Sequence, residues 1–450
     1  MRMHASDVAK ITGGLLVGPD ITVDGVSFDS RNLQAGQCFV ALVAERDGHA
    51  FVDNAYGAGA PLCVVNKELL TSPDMPESCA RIEVSDTMAA LTALGIWARD
   101  QLETTANDRI IGVTGSAGKT STKDFISSVL KTGFDHAYAS ELSFNNDIGV
   151  PTTLLNAPNN CNAIVIEMGM RGLGEITRLC DVARPSIGVI TSIGEAHSER
   201  VGGIEGVAQT KGELLRALPE NGTAIVCADD ARAMAAAQTA SAKIMTFGTS
   251  SSADVRYEIV TTDNQGCITM TVHHLDEHAT VYVPAPGEHM ASNAAAAIAV
   301  GIAAGMKLST CAHAIESSVV SHMRMQWLQA PSGVRIMNDA YNANPDSMVA
   351  AMKTLAKIPA SQRVAIVGRM AEIADAQERH LFVAGVAEEL GLQVWAVDTD
   401  MYGSTPLSIE QAAERIAMLP NDAVVLLKGS RVAGLERIVD LLGIAPPRQK

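Results

Sequence analysis

Short apolar runs rich in Val and Ile recur along the chain, separated by turn-forming Gly, Pro, Asn and Asp. Before residue 85 the runs are CFVALVAE, PLCVVN and RIEV, which predict the strands of a small α/β module over residues 1–84. A helical stretch follows, and then IIGVTG, NAIVIEM and IGVITSI alternate with helix-like segments in a second region, residues 85–316. Alternating strands and helices predict a parallel sheet. Inside that region the pattern changes over residues 255–286, where strand-like segments are joined by the short polar turns DNQG and LDEH. That spacing predicts an antiparallel ribbon appended to the sheet. Over residues 317–450 the alternation resumes with RVAIVG, QVWAVD and AVVLLKG, predicting a third, Rossmann-like domain without a dinucleotide loop. The fold class is therefore α/β, in three parts.

Composition agrees with that division. At 450 residues the chain exceeds one ordinary domain of roughly 100–200 residues. Apolar residues at 47% and charged residues at 19% leave material for several buried cores. A formal charge of -16 argues against a protein that covers nucleic-acid phosphates, so an anionic substrate must be met by local positive charge and backbone amides. The eight cysteines are scattered with no CxxC, as expected of reduced thiols. The N-terminal segment lacks the apolar stretch of a secretory signal, and the alanine-rich run after Asn293 is too short to span a bilayer. These features predict a cytoplasmic protein with no membrane segment.

The chemistry concentrates after IIGVTG. Gly115, Ser116, Ala117, Gly118, Lys119, Thr120 and Ser121 follow a predicted strand and open a predicted helix. Glycines let successive backbone N–H groups face phosphate oxygens, the helix start adds positive dipole, and Lys119 supplies a mobile charge. The Thr120 hydroxyl is placed for a magnesium ion. The two glycines stand closer together than in the common Walker spacing, but the strand-to-helix context is the one a phosphate loop requires.

Two further strands of the same region end in residues that suit a metal. Glu167 closes NAIVI, and Gly194, Glu195, Ala196 and His197 follow IGVITSI. Strand C-termini of a parallel sheet share one edge, so Lys119 with Thr120, Glu167 and His197 are expected in one crevice. There, a carboxylate and an imidazole beside triphosphate oxygens are natural ligands for divalent ions. Lys211 fits less easily, because an ammonium beside magnesium is repelled. From its spacing it belongs on a solvated helix face, or is chemically altered as a carbamate. Lys428 and Arg431 in LLKGSR are either a phosphate or carboxylate grip or a surface cap, and HHLDEH reads as an exposed hairpin turn.

Eight ordered motifs, GVTGSAGKTS, SFNNDIGVP, VIEMG, GEAH, TKGEL, GEHMASNAAAA, NDAYNANPDSM and KGSR, together resemble the Mur ligases of bacterial peptidoglycan synthesis. The front segment FDSRNLQAGQCFVALVAERDGHAFV resembles their uridine-binding domain. The resemblance implies a three-domain, ATP-dependent carboxylate-amine ligase using Mg²⁺ and an acyl phosphate. It is nearest to the branch that joins D-alanyl-D-alanine to UDP-N-acetylmuramoyl-tripeptide, and a monomer is expected. By the same resemblance Lys119 grips the γ-phosphate, Thr120 holds the first magnesium and Glu167 touches both metal sites, while His197 and a carbamylated Lys211 hold the second ion. Asn293 meets the adenine, and Arg324, Asp339 and Tyr341 close over the nucleotide. Ser30, Arg31, Asp47 and His49 would bind the nucleotide-sugar, and Asn145, Asn146 and Asn342 the peptide units.

Three positions depart from the family pattern. His289-Met290 replaces the usual His-Asn, Gly368-Arg369-Met370 replaces Gly-Asp-Met, and Arg324 lacks its usual Pro-Gly flank. A regulatory P-loop ATPase is a rival reading, although no base-reading NKxD follows the loop. A ligase with other substrates is a second, opposed by the absence of the Asp-Asn-Pro-Arg motif of the diamino-acid branch.

Overall fold

The computed structural model describes residues 1–70, 74–106, 108–140 and 143–444; residues 445–450 of the expected third region lie outside the described residues. Three main sheets account for the architecture. The first runs in the order Leu15–Val17, Ala80–Val84, Leu62–Asn66, Cys38–Val40, Val26–Ser27, antiparallel at its first pair and parallel elsewhere. The expected strand CFVALVAE stops at Val40. Its remainder folds back through a Val43 to Asp47 bridge, where the Gly48 N–H donates to Leu42 O at 2.8 Å.

Helix Thr87–Ala106 joins this module to the centre. Leu91, Leu94, Ala98 and Leu102 recur at helical spacing and are buried in a core shared with Val150, Leu154 and Leu179 of the central region.

The central sheet has nine strands, with Ala163–Glu167, Ile110–Thr114 and Ile187–Ile190 adjacent and parallel. Residues 255–286 form the expected antiparallel ribbon, strands Val255–Thr262, Cys267–His274 and Glu277–Pro286. Helices Lys119–Gly133 and Glu288–Ala303 cover one face, in one core with Phe125, Val129 and Ile298. The alanine run after Asn293 is completely buried, and small side chains let these two helices approach closely. A Cβ on Gly301 would stand 2.6 Å from Val129 Cγ1.

The third sheet runs Gln326–Gln329, Arg335–Asn338, Val424–Lys428, Arg363–Val367, Gln393–Ala396, parallel except at its first pair. The strand QWLQ carries no apolar run and escapes pattern reading, because it lies half-buried at the sheet edge. Among the described residues no helix is long and apolar enough to cross a membrane.

Candidate active site

Backbone pairing brings the three candidate strands into step: Glu167 lies opposite Val113, and Ile190 opposite Thr114. Their C-terminal ends therefore open on one edge, and the turn after Thr114 is braced from the neighbouring strand. Thr191 Oγ1 donates to Ala117 O at 2.5 Å, and the Ala117 N–H donates to Ser192 Oγ at 3.1 Å. A side chain on Gly115 would overlap Thr191, and one on Gly118, where φ is +80°, would meet Asn293 Oδ1 at 2.5 Å. Both glycines are thus required by close approach. Ser116 and Gly194 exchange hydrogen bonds at 2.8 and 2.9 Å, tying the loop to the segment that carries His197.

Inside this frame Glu167 is 1% exposed and both its oxygens are occupied. Thr120 Oγ1 donates to one at 2.8 Å and Asn145 Nδ2 to the other at 2.7 Å. Lys119 Nζ donates to Gly115 O at 2.7 Å. Arg324 crosses from the C-terminal side, donating to Thr120 Oγ1 at 3.0 Å with its guanidinium 4.2 Å from the Tyr341 ring centre. Its flanking residues Met323 and Met325 both have left-handed backbones, φ +58° and +54°.

These groups surround a cavity of about 800 Å³. Of the expected phosphate-loop and nucleotide residues, Ser116, Ala117, Gly118, Lys119, Thr120, Ser121, Asn293, Arg324, Asp339 and Tyr341 line it, as do Glu167, His197, Asn145, Asn146 and Asn342. Gly115 and Lys211 stand behind the wall. Burial lowers the proton affinity of Lys119, and the nearby Arg324 lowers it further against the pull of Glu167. Burial pushes Lys211 well down, assisted by the charge of Lys119. His197 falls to about 4 through burial and Lys119, with Glu372 opposing. Three mutually repelling basic groups gather here, so a bound anion would relieve them.

Several expectations change on this geometry. Lys211 is 1% exposed, so the solvated-face reading fails. It occupies the buried stripe of helix Ile204–Arg216 with Val207, Leu214 and Leu215, a helical spacing that was there to be read. Lys428 is no surface cap either: it is 2% exposed, pairs with Asp339 at 2.5 Å and donates to Asn342 O at 3.1 Å. Asn146 uses its side-chain oxygen to accept the Ile148 and Gly149 N–H groups, so that atom builds the turn.

His49 is 2% exposed. Its ring lies 2.6 Å from Asp47 and accepts the Asn66 N–H at 2.8 Å, so it braces its loop and has no ring nitrogen left for a ligand. Ser30, Arg31 and Asp47 lie with it outside the cavity wall, and Arg31 is paired with Asp29 at 2.7 Å.

Sequence reasoning passed over Thr191, Ser192, Asp346 and Glu372, which brace the loop or line the cavity. The expected metal donors are a hydroxyl, a buried carboxylate and an imidazole. Among the described residues no three His, Cys, Asp or Glu side chains gather as a ready metal cage. The donor set fits a magnesium ion that takes its other ligands from phosphate and water.

Comparison with known proteins resolves the family. Residues 113–301 match the Mur ligase middle domain and residues 323–431 the Mur ligase, glutamate ligase domain. The UDP-N-acetylmuramoyl-tripeptide--D-alanyl-D-alanine ligase of Bacillus subtilis is 36% identical across 84% of this chain and 81% of that one. The chain belongs to the Mur ligase family. The Escherichia coli ligase of the same description is 33% identical over 97% of each chain. A crystal structure of MurF from Acinetobacter baumannii superimposes with a TM-score of 0.84 at 29% identity, covering 98% of this chain and 99% of that one.

The departures from the Mur ligase pattern have local explanations at two positions. Met290 is buried, and its sulfur receives Asn293 Nδ2 at 3.7 Å, so the residue expected at the adenine is still held from the side. Without its usual Pro-Gly flank Arg324 still reaches Thr120, and the two methionines beside it have left-handed backbones. Arg369 is exposed and lies outside the cavity wall.

Proposed function

We propose that this Mur ligase joins D-alanyl-D-alanine to UDP-N-acetylmuramoyl-tripeptide, converting ATP to ADP and phosphate, in the cytoplasmic assembly of the peptidoglycan precursor on which cell shape and division depend. The observation that carries the reading is one cavity in which three adjacent strands deliver Lys119 with Thr120, Glu167 and His197, and a third sheet adds Arg324 and Asp339. The relatives that resemble this chain along most of its length carry that activity in their names. Residues 1–84 would receive the nucleotide-sugar through Ser30, Arg31 and Asp47, residues 85–316 the ATP, and residues 317–450 would close the site. A monomer is the expected assembly.

The chemistry runs in two steps. A terminal carboxylate oxygen of the tripeptide attacks the γ-phosphorus, the bond to the β-γ bridging oxygen breaks, and ADP leaves. The dipeptide amine then attacks the acyl carbon and gives up a proton, and the tetrahedral intermediate expels phosphate to leave the amide. Lys119 exchanges Gly115 O for the γ-phosphate and meets the charge that develops there. Thr120 and Glu167 would hold one magnesium ion, and His197 with a carbamate on Lys211 a second. Such ions neutralise the approach of phosphate to carboxylate. Burial shifts the Lys211 amine toward its neutral form, the form that adds CO₂ and loses a proton to become an anionic carbamate. Arg324 and Tyr341 close the cavity, keeping water from the acyl phosphate. Asn145, held by Glu167 through its amide nitrogen, keeps its oxygen for a peptide N–H, and Asn342 also faces the cavity.

ADP release with a panel of UDP-muramoyl peptides and amines tests the reading. Release is expected with the tripeptide and D-alanyl-D-alanine together. Efficient use of D-alanine, L-lysine or diaminopimelate with the dipeptide ignored would assign another branch. ATP hydrolysis indifferent to both substrates would favour a regulatory ATPase.

A further inference from the structure

The segment carrying His197 is gripped from the C-terminal region at three points. Arg379 pairs with Glu195 at 2.9 Å. Asp346 accepts the Glu195 N–H at 3.4 Å and lies so close to Gly194 that any side chain there would overlap it. Glu372, in the turn after strand Arg363–Val367, reaches His197 Nδ1 at 2.8 Å and Arg200 at 3.3 Å.

The Glu372 contact differs in kind from the other two. Its partner is a side chain that lines the cavity, and Glu372 lines the cavity as well. His197 and Glu372 both have left-handed backbones, φ +63° and +59°, a conformation uncommon for residues with a Cβ. His197 Nδ1 is buried and lies 2.8 Å from the Glu372 carboxylate, within hydrogen-bonding distance. An imidazole that binds a metal through one nitrogen generally gives its other N–H to a carboxylate, which sets both tautomer and orientation.

We propose that Glu372 is a positioning residue: its carboxylate, brought in by docking of the C-terminal region, orients His197, so that the second ion position is complete only in the closed enzyme. The proposal rests on the reading of His197 as a metal ligand.

The test uses the full chain with Mn²⁺ as probe and a non-hydrolysable ATP analogue, counting and titrating bound Mn²⁺ by electron paramagnetic resonance, alongside steady-state kinetics. Glu372→Ala should weaken the second Mn²⁺ by about 10- to 100-fold and lower kcat by a similar factor, with KM for ATP changed by less than about threefold. Glu372→Gln keeps an acceptor of the same shape and should recover most of the loss. Arg379→Ala removes a contact across the same seam without touching His197, and should alter Mn²⁺ affinity and kcat by less than about threefold. Unchanged or tighter Mn²⁺ binding in Glu372→Ala, or equal losses in Glu372→Ala and Arg379→Ala, would overturn the proposal. The titration requires neither the nucleotide-peptide nor the amine, so it reports on Glu372 even if the ligation substrates are misassigned. A wild-type protein that binds a single Mn²⁺ would overturn the proposal together with the His197 reading beneath it.

Discussion

The phosphate-loop wall of the cavity and the seam that closes over it are built on different principles. Along the loop the bracing contacts are short and come mainly from one sheet edge: Thr120 and Asn145 each donate to a carboxylate that is 1% exposed, and Thr191 and Ser192 brace the turn from the next strand. Across the seam the contacts join partly exposed side chains, the Glu372 carboxylate to the His197 ring and to Arg200, and Arg379 to Glu195. Buried and saturated groups are fixed before a ligand arrives, which is what electrostatic catalysis requires. Half-solvated ion pairs exchange readily with water and contribute little each, which would suit the closure proposed for this seam.

Breaking the loop wall should have the largest effect. Lys119→Ala removes the charge that would meet the γ-phosphate while the sheet beneath stays packed, so turnover should fall by about a thousandfold with little change in the thermal midpoint. Near-normal ligation by this variant would mean that the phosphate site is misassigned. Lys211 sharpens the same side of the comparison. If it carries a carbamate, CO₂-depleted buffer should reduce activity at least about tenfold and bicarbonate should restore it. Activity indifferent to bicarbonate, with a free amine seen at high resolution, would remove Lys211 from the ligand set.

On the closing side the expected effects turn from activity to stability. Lys428 and Asp339 form a buried pair within the C-terminal sheet. Lys428→Ala strands a buried carboxylate and should cost roughly 3 kcal/mol in urea unfolding, far more than loss of any seam pair. A loss below about 1 kcal/mol would show that water reaches Asp339.

A pH titration probes the seam itself. Burial holds His289, beside Asp339 and Lys428, down to about 4 from its ordinary value of 6.5. Between those values the unfolded chain holds the extra proton, so this contribution is intact above 6.5 and is lost as pH falls toward about 4. The loss should reach about 3 kcal/mol, and His289→Asn should flatten that part of the pH dependence. An identical slope in the variant would assign the effect elsewhere.

Much of this was legible because it depends on local order. Gly115 to Ser121 between a strand and a helix announce a phosphate loop, and strand ends in a parallel sheet must share an edge, so Glu167 and His197 could be placed beside it. The antiparallel ribbon followed from its turns. Lys211 was misjudged because a lysine suggests a solvated face, although its spacing from Val207 and Leu214 lies on the apolar stripe. His49 looked available until its ring proved to be spent on Asp47 and Asn66.

By itself, then, the sequence determined the α/β class, the three sheets and the candidate groups for phosphate and metal, since these follow from periodicity and residue chemistry over short stretches. Only the tertiary structure decided which groups are used. It turned Asn145 onto Glu167 and buried Lys428 against Asp339. It also set Glu372 beside a histidine far from it in the chain. A side chain's partner across a seam depends on how two surfaces distant in the chain meet, and no local pattern in the chain encodes that meeting.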